Sequence, residues 1–419
     1  MDVPDAILLM GDKQWQEIKS KLTGKFNKMM KGLFRQKGAQ LDINILASDE
    51  AQEFITTHAG ILDAGFQKVE MSDKMRERLT RSNYIFSGIK TFHELNEAFP
   101  SMLDENGNKK TFERFLNDVQ KINDTYNANF LHAEYNFVQA SATMAAKWEQ
   151  FSEDGDQYYL QYRTAKDGKV RPEHAALDGV TLPPSDSFWD TYYPPNGWNC
   201  RCNVVQVRKQ KYTATEHSEA MNRGEEAMNG QKYNIFRFNS GKQGKTMPDY
   251  NPYTIKRCND CDVAKGKLKL GFVPDYQLCQ GCIMIRKCNE DRNRDNSAKA
   301  TKKSPEVKKL QGTTISNPDF NHEVLITGGS IREWTNQPHK EYAAKNSILK
   351  HIAKVFREAK YIGFIDNFKK KPGVKQSHLF ETNVLGELSW IIVREYEIGE
   401  FVLHSISDSD KIKTGIRKE

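Results

Sequence analysis

The spacing of apolar residues predicts helices in roughly the first 150 residues of this chain. The runs 15–22 and 112–119 place an apolar residue at every third or fourth position, which is the repeat of an amphipathic helix. The run 129–151 has a similar pattern, and a turn-forming segment at 104–108 divides the helical region into two parts. The pattern therefore predicts mainly helices up to about residue 150, and residues 1–100 are expected to form a helical amino-terminal region.

The pattern changes to shorter runs in two later parts of the chain. Residues 158–207 are rich in strand and turn signals and are punctuated by glycine and proline, which predicts a small α+β domain. Near the carboxy terminus, residues 340–361 read as one amphipathic helix. Four short strands are then predicted, at 361–365, 378–382, 388–395 and 400–407. We expect this last part to be an α+β unit in which a helix packs on an antiparallel sheet.

Length and composition indicate a protein of several domains. A chain of 419 residues exceeds one ordinary hydrophobic core, so roughly two to four domains are expected. No apolar run reaches the roughly 18 residues that a membrane-spanning helix needs. The first residues are acidic where a secretory signal would be basic. The sequence therefore predicts a soluble protein, without a membrane segment, that is made in a cytoplasm.

The positive charge of the chain is concentrated in one stretch. Residues 254–312 contain 14 lysines and arginines against 7 aspartates and glutamates, and the rest of the chain is balanced. A local excess of basic residues is typical of a nucleic-acid contact, so we expect any DNA contact to lie within 254–312. A solvated, charged spacer has the same composition, and both interpretations stay open.

Four of the seven cysteines form a pattern typical of structural zinc. Cys258 and Cys261 form one Cys-x-x-Cys pair, and Cys279 and Cys282 form a second pair. Thiolates at this spacing can turn toward one tetrahedral ion, and two such pairs complete a closed site. We predict a zinc-ribbon-like module that Zn²⁺ stabilises, with Cys288 as a spare ligand.

A second, incomplete set of metal ligands lies in the middle of the chain. Cys200 and Cys202 form a Cys-x-Cys pair, and His174 is a third candidate ligand. A structural zinc site takes four protein ligands, and spacing indicates no fourth residue here. Metal binding and roles in packing or turn formation both remain interpretations of these residues.

The densest group of motifs lies between residues 158 and 204. Its fixed points are Tyr162-Arg163-Thr164, Arg171-x-x-His174, Leu177-Asp178-Gly179, Asp186-x-Phe188-Trp189, Pro194-Pro195-Asn196-Gly197 and Cys200-Arg201-Cys202. In this combination the segment resembles the phage Mu F-like head morphogenesis family, the minor head proteins of tailed phages and prophages. The resemblance implies a protein of the virion, inside the capsid, with the portal and capsid proteins as partners.

The last part of the chain resembles a different group of proteins. Its segments 331–334, 339–342 and 402–407 resemble the phage-borne nucleases grouped with barnase, EndoU, the tRNase colicins and RelE. The resemblance implies metal-independent cleavage of RNA, with tRNA among the substrates. It also implies an immunity protein as a partner.

The residues of this last part fit such a reaction, which needs a base, an acid and cations near the phosphate. The candidate catalytic residues are His339, His404, His351, Arg332, Lys340, Ser405 and Ser407. We expect the histidines to exchange protons, the cations to balance developing charge and the serines to position a phosphate oxygen. His404 shares a predicted strand face with apolar residues and His351 lies near an apolar stripe, so a core role for both stays open.

Together these patterns predict a multidomain α+β protein. Its expected segments are a helical amino-terminal region at 1–100, a Mu F-like domain at 101–210, a connector at 211–253, a zinc-ribbon-like module at 254–290, a flexible tether at 291–312 and a nuclease domain at 313–419. The favoured function is a minor head protein that carries a ribonuclease-like toxin or effector. Two other classes remain open: a structural head protein whose last domain binds DNA or a capsid protein, and a nucleic-acid-binding zinc protein.

Overall fold

The computed structural model describes residues 12–248, 251–253, 280–367 and 371–417 of the chain. The chain forms two compact units, which divide between Asn289 and Glu290. Each unit has a hydrophobic core of its own. The boundaries expected near residues 100 and 210 both fall inside the first unit, because the helices and the following segment bury their apolar residues in one shared core.

Within the described residues, the first unit begins with five long helices. They are α1 Asp12–Phe34, α2 Asp49–Ala64, α3 Asp73–Ala98, α4 Phe112–Asn123 and α5 Leu131–Asp154. Ser48, Ser72 and Thr111 precede α2, α3 and α4, and each side-chain oxygen accepts a hydrogen bond from a backbone N–H of the first turn. These side chains satisfy N–H groups that a helix leaves unpaired. The π-helix Asp124–Asn129 leads from α4 toward α5.

A small sheet and short helices complete the first unit. The strands are β1 Tyr159–Arg163, β2 Thr181–Leu182 and β3 Asn203–Val207, in the antiparallel order β2-β1-β3. The short helices are α6 Pro172–Ala175, α7 Phe188–Thr191, α8 His217–Ala227 and α9 Ser240–Gln243. The 3-10 helices are Ile43–Ala47, Phe99–Met102, Gly155–Gln157 and Gln231–Phe236. Trp189 is buried, and its Nε1–H donates to the carbonyl oxygen of Pro183 at 3.0 Å, which satisfies the one polar group of this core side chain.

A buried network of charged side chains joins the long helices. Nζ of Lys90 on α3 donates to Oε2 of Glu134 on α5 and to the carbonyl oxygen of Tyr126, both at 2.7 Å. Nε2 of His58 lies 3.4 Å from the same carboxylate oxygen, and the hydroxyl of Tyr253 donates to the other oxygen. Burial by itself raises the pKa of Glu134, but Lys90 and His58 outweigh it and hold that pKa at about 2. The carboxylate is therefore ionised and compensated inside the core.

A long helix occupies much of the stretch that was expected to be a flexible tether. Helix α10, Gln280–Lys303, extends into residues 291–312, and the short helix α11, Pro305–Lys308, follows it. Ala298 is buried, and Val307 belongs to the core of the second unit. The tether prediction is wrong because a few small and apolar residues give this polar stretch a buried side, which its composition does not reveal.

The second unit is built on a six-stranded sheet with the order β4-β5-β9-β8-β7-β6. Its strands are β4 Thr314–Asn317, β5 Phe320–Leu325, β6 Lys360–Asp366, β7 Val374–Val384, β8 Glu387–Tyr396 and β9 Phe401–Ser407. The last four strands are those that the sequence predicts, at somewhat different bounds. The sequence does not predict β4 and β5, because their residues are mostly polar. The sheet is antiparallel except for the parallel pair β5 and β9.

Short helices supply the apolar side chains that pack on this sheet. They are α12 Gly328–Asn336, α13 Tyr342–Ser347 and α14 Ile352–Glu358, with the 3-10 helices Ile348–His351 and Asp410–Lys413. The single helix expected over 340–361 is thus divided. The buried residues Asn346, Leu349 and Ile352 recur at every third position, which is the repeat of a 3-10 helix. Among the described helices of the whole chain, none is long and apolar enough to cross a membrane.

Candidate functional site

The three candidate metal ligands in the middle of the chain meet in the first unit. His174 lies on the one-turn helix α6, and Cys200 and Cys202 lie just before β3. Nδ1 of His174 is 3.7 Å from Sγ of Cys200 and 3.7 Å from Sγ of Cys202. The three donor atoms all lie within 4.8 Å of one another. The structure therefore brings together three candidate ligands whose spacing in the sequence does not show that they meet.

The loop before the two cysteines is held close to α6. Nη2 of Arg171 donates to the carbonyl oxygen of Trp198 at 2.6 Å. The guanidinium of Arg171 also packs against Gly197, where a Cβ atom would lie 2.9 Å from its Nη1. The backbone N–H of Cys200 donates to the carbonyl oxygen of Gly197 at 3.1 Å, in a turn where Asn199 has a φ of 57°. The Arg-x-x-His and Pro-Pro-Asn-Gly motifs thus position the Cys-x-Cys pair.

The thiols of Cys200 and Cys202 interact with each other. A hydrogen bond with Cys202 lowers the pKa of Cys200 well below its ordinary value, whereas the same bond raises the pKa of Cys202. His174 and Cys200 are buried, and Cys202 is partly buried.

A cleft of about 210 Å³ opens beside these three residues. Lys169, Arg171 and Arg201 contribute cationic side chains to its lining. Arg201 donates to both carboxylate oxygens of Asp167, so part of this positive charge is compensated. The cleft gives solvent and small molecules a route to the side of the ligand group.

The predicted four-cysteine zinc site lies mostly outside the described residues. Cys258, Cys261 and Cys279 belong to residues 254–279, which the structure does not describe. Cys282 lies in the first turn of α10 and is buried in the core of the first unit. The zinc-ribbon-like module and its Zn²⁺ therefore stay predictions, as does a DNA contact through 254–312.

The candidate catalytic His339 is buried and hydrogen-bonded through both ring nitrogens. Its Nδ1 accepts a hydrogen bond from the backbone N–H of Glu341 at 2.9 Å. The proton on its Nε2 then points at Oγ of Ser389, which lies 3.0 Å away. Burial lowers the pKa of His339, so the ring is neutral at pH 7. This environment is typical of a histidine that fixes the start of a helix against a strand.

His404 lies elsewhere on the sheet. It occupies a bulge of β9 opposite residues 392–393 of β8, and burial together with Arg394 and Lys371 lowers its pKa to about 4. Ser389, the partner of His339, lies three to four residues away along β8, which is roughly 10–14 Å at the rise of a strand. The structure therefore does not place these two histidines on one phosphate group. Their catalytic roles stay a prediction from the sequence.

The other candidate residues of the second unit are also dispersed. Arg332 on α12 and His351 in a 3-10 helix are exposed. Lys340 is exposed, and its Nζ donates to Oε1 of Glu387 at 2.5 Å. Ser405 and Ser407 are buried on β9.

A polar cluster that the sequence does not single out lies at one end of β7 and β8. Nε2 of His378 lies 2.9 Å from Oε2 of Glu395, and Nδ1 of His378 lies 3.0 Å from the hydroxyl of Tyr361. Lys375 and Gln376 donate to the same carboxylate at 2.6 and 2.7 Å. Burial raises the pKa of Glu395, but these hydrogen bonds outweigh it and hold that pKa below its ordinary value. The cluster forms only through strand pairing, so spacing in the sequence carries no signal of it.

Comparison with known proteins relates the two units to different families. Residues 104–205 match the family described as "Phage Mu protein F like protein". Residues 293–403 match the family described as "Large polyvalent protein-associated domain 3". The second match does not support the expected resemblance of the last domain to nucleases.

Two curated proteins are similar to part of the chain. The "Putative capsid assembly protein F" of Escherichia phage Mu is 32% identical over 177 residues, which are 41% of this chain and 38% of that protein. The "Mu-like prophage FluMu F protein" of Haemophilus influenzae is 33% identical over 135 residues, which are 30% of this chain and 29% of that protein. The matched part is thus less than two fifths of the length of either relative. No solved structure is significantly similar to the chain. The segment that carries His174, Cys200 and Cys202 is therefore the part of the chain that is similar to the phage Mu F proteins.

Proposed function

We propose that the protein is a minor head protein of a phage or prophage. It is made in the bacterial cytoplasm and is assembled into the capsid next to the portal and capsid proteins. The observation that carries this proposal is the similarity of residues 104–205 to Mu F-like proteins, one of which is named as a putative capsid assembly protein.

The position of the matched residues within the first unit supports this proposal. Residues 104–205 contain α4, α5, β1 and β2, and they reach into β3. Their aromatic side chains Phe188, Trp189, Tyr192 and Tyr193 are fully buried. Because these residues supply the packing of the unit, the similarity concerns the core of this part of the protein as well as its surface motifs.

Chemical cross-linking in assembling heads tests the proposed partners. We expect lysines of the first unit, such as the exposed Lys121 and Lys209, to be linked to the portal or the major capsid protein. The variant Trp189→Ala empties the centre of the aromatic packing and should lose these cross-links. His378→Gln in the second unit is the matched control and should keep them. Cross-links confined to proteins outside the head would contradict the proposal.

A second candidate function is metal-independent cleavage of RNA by the second unit, with tRNA among the substrates. The His378 cluster favours this function, because a histidine held by a carboxylate is a common arrangement for moving a proton in catalysis. When Nε2–H of His378 donates to Glu395, its Nδ1 can accept the proton of the Tyr361 hydroxyl. Lys375 adds a largely exposed cation beside this group. The hydroxyl oxygen of Tyr361 is then the group that exchanges a proton with the substrate.

Incubation of the purified full-length protein with tRNA in the presence of a chelator tests this activity. If the cluster is catalytic, His378→Gln and Glu395→Gln should each reduce cleavage by about 100-fold or more, and the exposed His351→Gln should not. Loss of cleavage in His339→Gln and His404→Gln alone would assign the reaction to the residues predicted from the sequence. An immunity protein is expected as a partner only if cleavage occurs.

Intact tRNA would contradict the ribonuclease function. The function then expected of the second unit is to bind DNA or a capsid protein without catalysis. Binding of DNA, whether by the second unit or by residues 254–312 of a nucleic-acid-binding zinc protein, would fall steeply with salt concentration, since phosphate contacts release counterions. Binding that is insensitive to salt would instead favour a capsid partner.

A further inference from the structure

We propose that His174, Cys200 and Cys202 bind one zinc ion in the first unit, with a water molecule as the fourth ligand. This site lies in the Mu F-like segment and is distinct from the predicted Cys258, Cys261, Cys279 and Cys282 set. It does not depend on the proposed head function, because the geometry of the three side chains alone carries it.

The distances between the donor atoms fit a tetrahedral metal site. Zinc lies about 2.3 Å from a thiolate sulfur and about 2.0–2.1 Å from an imidazole nitrogen, so a tetrahedral angle separates the sulfur and the nitrogen by about 3.6 Å. Both distances from Nδ1 of His174 to the sulfurs of Cys200 and Cys202 are 3.7 Å. A single ring N–H can point at only one sulfur. Equal distances to both sulfurs are therefore typical of three ligands around a common centre.

The chemistry of the donors selects zinc over the hard cations. Thiolates and imidazole are soft or intermediate ligands, whereas Mg²⁺ and Ca²⁺ require oxygen ligands. Two thiolates also neutralise one divalent ion, so the occupied site carries no net charge. This matters because His174 and Cys200 are buried, and an uncompensated charge there would be costly.

The fourth position of the tetrahedron is open to solvent. Among the residues that the structure describes, the group contains His174, Cys200 and Cys202 and no fourth His, Cys, Asp or Glu. The adjacent cleft of about 210 Å³ is large enough to hold water. Zinc sites with three protein ligands hold water or a substrate group at the remaining position.

A zinc ion at this place would connect two separate parts of the chain. It would join α6, which carries His174, to the turn that precedes β3 and carries the cysteines. The hydrogen bond from Arg171 to Trp198 already brings these parts together. Metal binding would add its binding free energy to the folding of the first unit.

Metal analysis of the full-length protein tests the site. The double variant Cys258→Ser, Cys261→Ser removes one pair of the other predicted set and should retain one zinc per chain. Adding Cys200→Ser and Cys202→Ser to it should remove that zinc, whereas adding Cys288→Ser should not. With Co²⁺ in place of Zn²⁺, we expect a thiolate-to-metal absorption band that the Cys200→Ser, Cys202→Ser change abolishes. A chain that holds no zinc in the Cys258→Ser, Cys261→Ser background would overturn the proposal.

Alkylation of the unaltered protein provides a test that does not depend on folding of the variants. We expect a chelator to speed the alkylation of Cys200 and Cys202 at least tenfold, as measured on the individual peptides by mass spectrometry. Added zinc should restore the slow rate. Unchanged rates after chelation, or a disulfide between Cys200 and Cys202 in the protein as isolated under reducing conditions, would overturn the proposal.

Discussion

At the scale of single residues, the chemistry of this protein depends on partners that are distant in the sequence. The sequence identifies His174, Cys200 and Cys202 as candidate ligands but does not show that they meet. It gave no sign of the pair between Lys90 and Glu134, whose partners lie 44 residues apart on different helices. The His378 and Glu395 pair escaped prediction for the same reason. Single charges along a helix or strand do not reveal which of them will be buried.

A substitution at Lys90 tests the buried network of charged side chains around Glu134. The variant Lys90→Met should lower the free energy of unfolding of the first unit by about 3–5 kcal/mol, because it leaves the carboxylate of Glu134 buried without its cation. Lys74→Met, at an exposed position near the start of α3, should change it by less than about 0.5 kcal/mol. Denaturant unfolding of the full-length protein measures both values. Equal stability of Lys90→Met and the unaltered protein would contradict the role of this network.

Glu94 should make the stability of the first unit dependent on pH. Its two carboxylate oxygens are buried without a hydrogen-bond partner among the described residues, and burial raises its pKa from 4.5 to about 8. Below pH 4.5 the folded and unfolded states both hold the proton, and as the pH rises toward 8 only the unfolded state releases it. The stabilising contribution of the protonated carboxyl is therefore lost over this range.

The variant Glu94→Gln removes this titration. Relative to the unaltered protein, it should gain on the order of 4 kcal/mol of stability between pH 5 and pH 8. The exposed Glu113→Gln is the control and should leave the pH profile as it is. Denaturant unfolding at both pH values measures the free energy of unfolding. If this free energy changes equally with pH in Glu94→Gln and in the unaltered protein, Glu94 is not protonated in the folded state.

At the scale of secondary structure, the pattern of apolar residues predicted most elements and failed where polar residues dominate or the repeat changes. The four strands from β6 to β9 are rich in apolar residues and were found, whereas β4 and β5 are mostly polar in sequence and were missed. The sequence predicts a tether from residue 291, where the second half of α10 lies, because the residues of that half are almost all polar. The three donor atoms of the candidate metal centre lie on α6 and in a turn before β3, so only the folded chain shows that they meet.

A substitution at Gly363 on β6 tests how the segment near residue 417 is attached to the sheet. Its φ is 124°, and a Cβ atom there would lie 2.1 Å from the carbonyl oxygen of Arg417. Gly363→Ala should therefore break the two backbone hydrogen bonds between Phe364 and Arg417 and destabilise the second unit by about 1–3 kcal/mol. Hydrogen exchange of both amides measures the loss of pairing. Gly386→Ala, which has a positive φ but open space, should leave these amides protected.

At the scale of the whole molecule, the sequence predicted several α+β domains, and the structure has two units with separate cores. The helical region, the Mu F-like segment and much of the connector merge into the first unit, because their apolar residues pack together. Boundaries between such parts cannot be read from composition, since a polar loop inside a domain resembles a linker between domains. The similarity to Mu F proteins was recognised from its motifs and is supported by the match over 104–205.

The central claim is that this protein is a component of a phage head. Quantitative mass spectrometry of gradient-purified, DNA-filled heads from the phage or prophage that carries the gene tests it most directly. We predict that peptides from both units, within residues 12–248 and 290–417, are present in the heads in equal amounts and resist removal by high salt. Heads that contain no peptide of this chain, while the protein accumulates in the surrounding lysate, would contradict the claim.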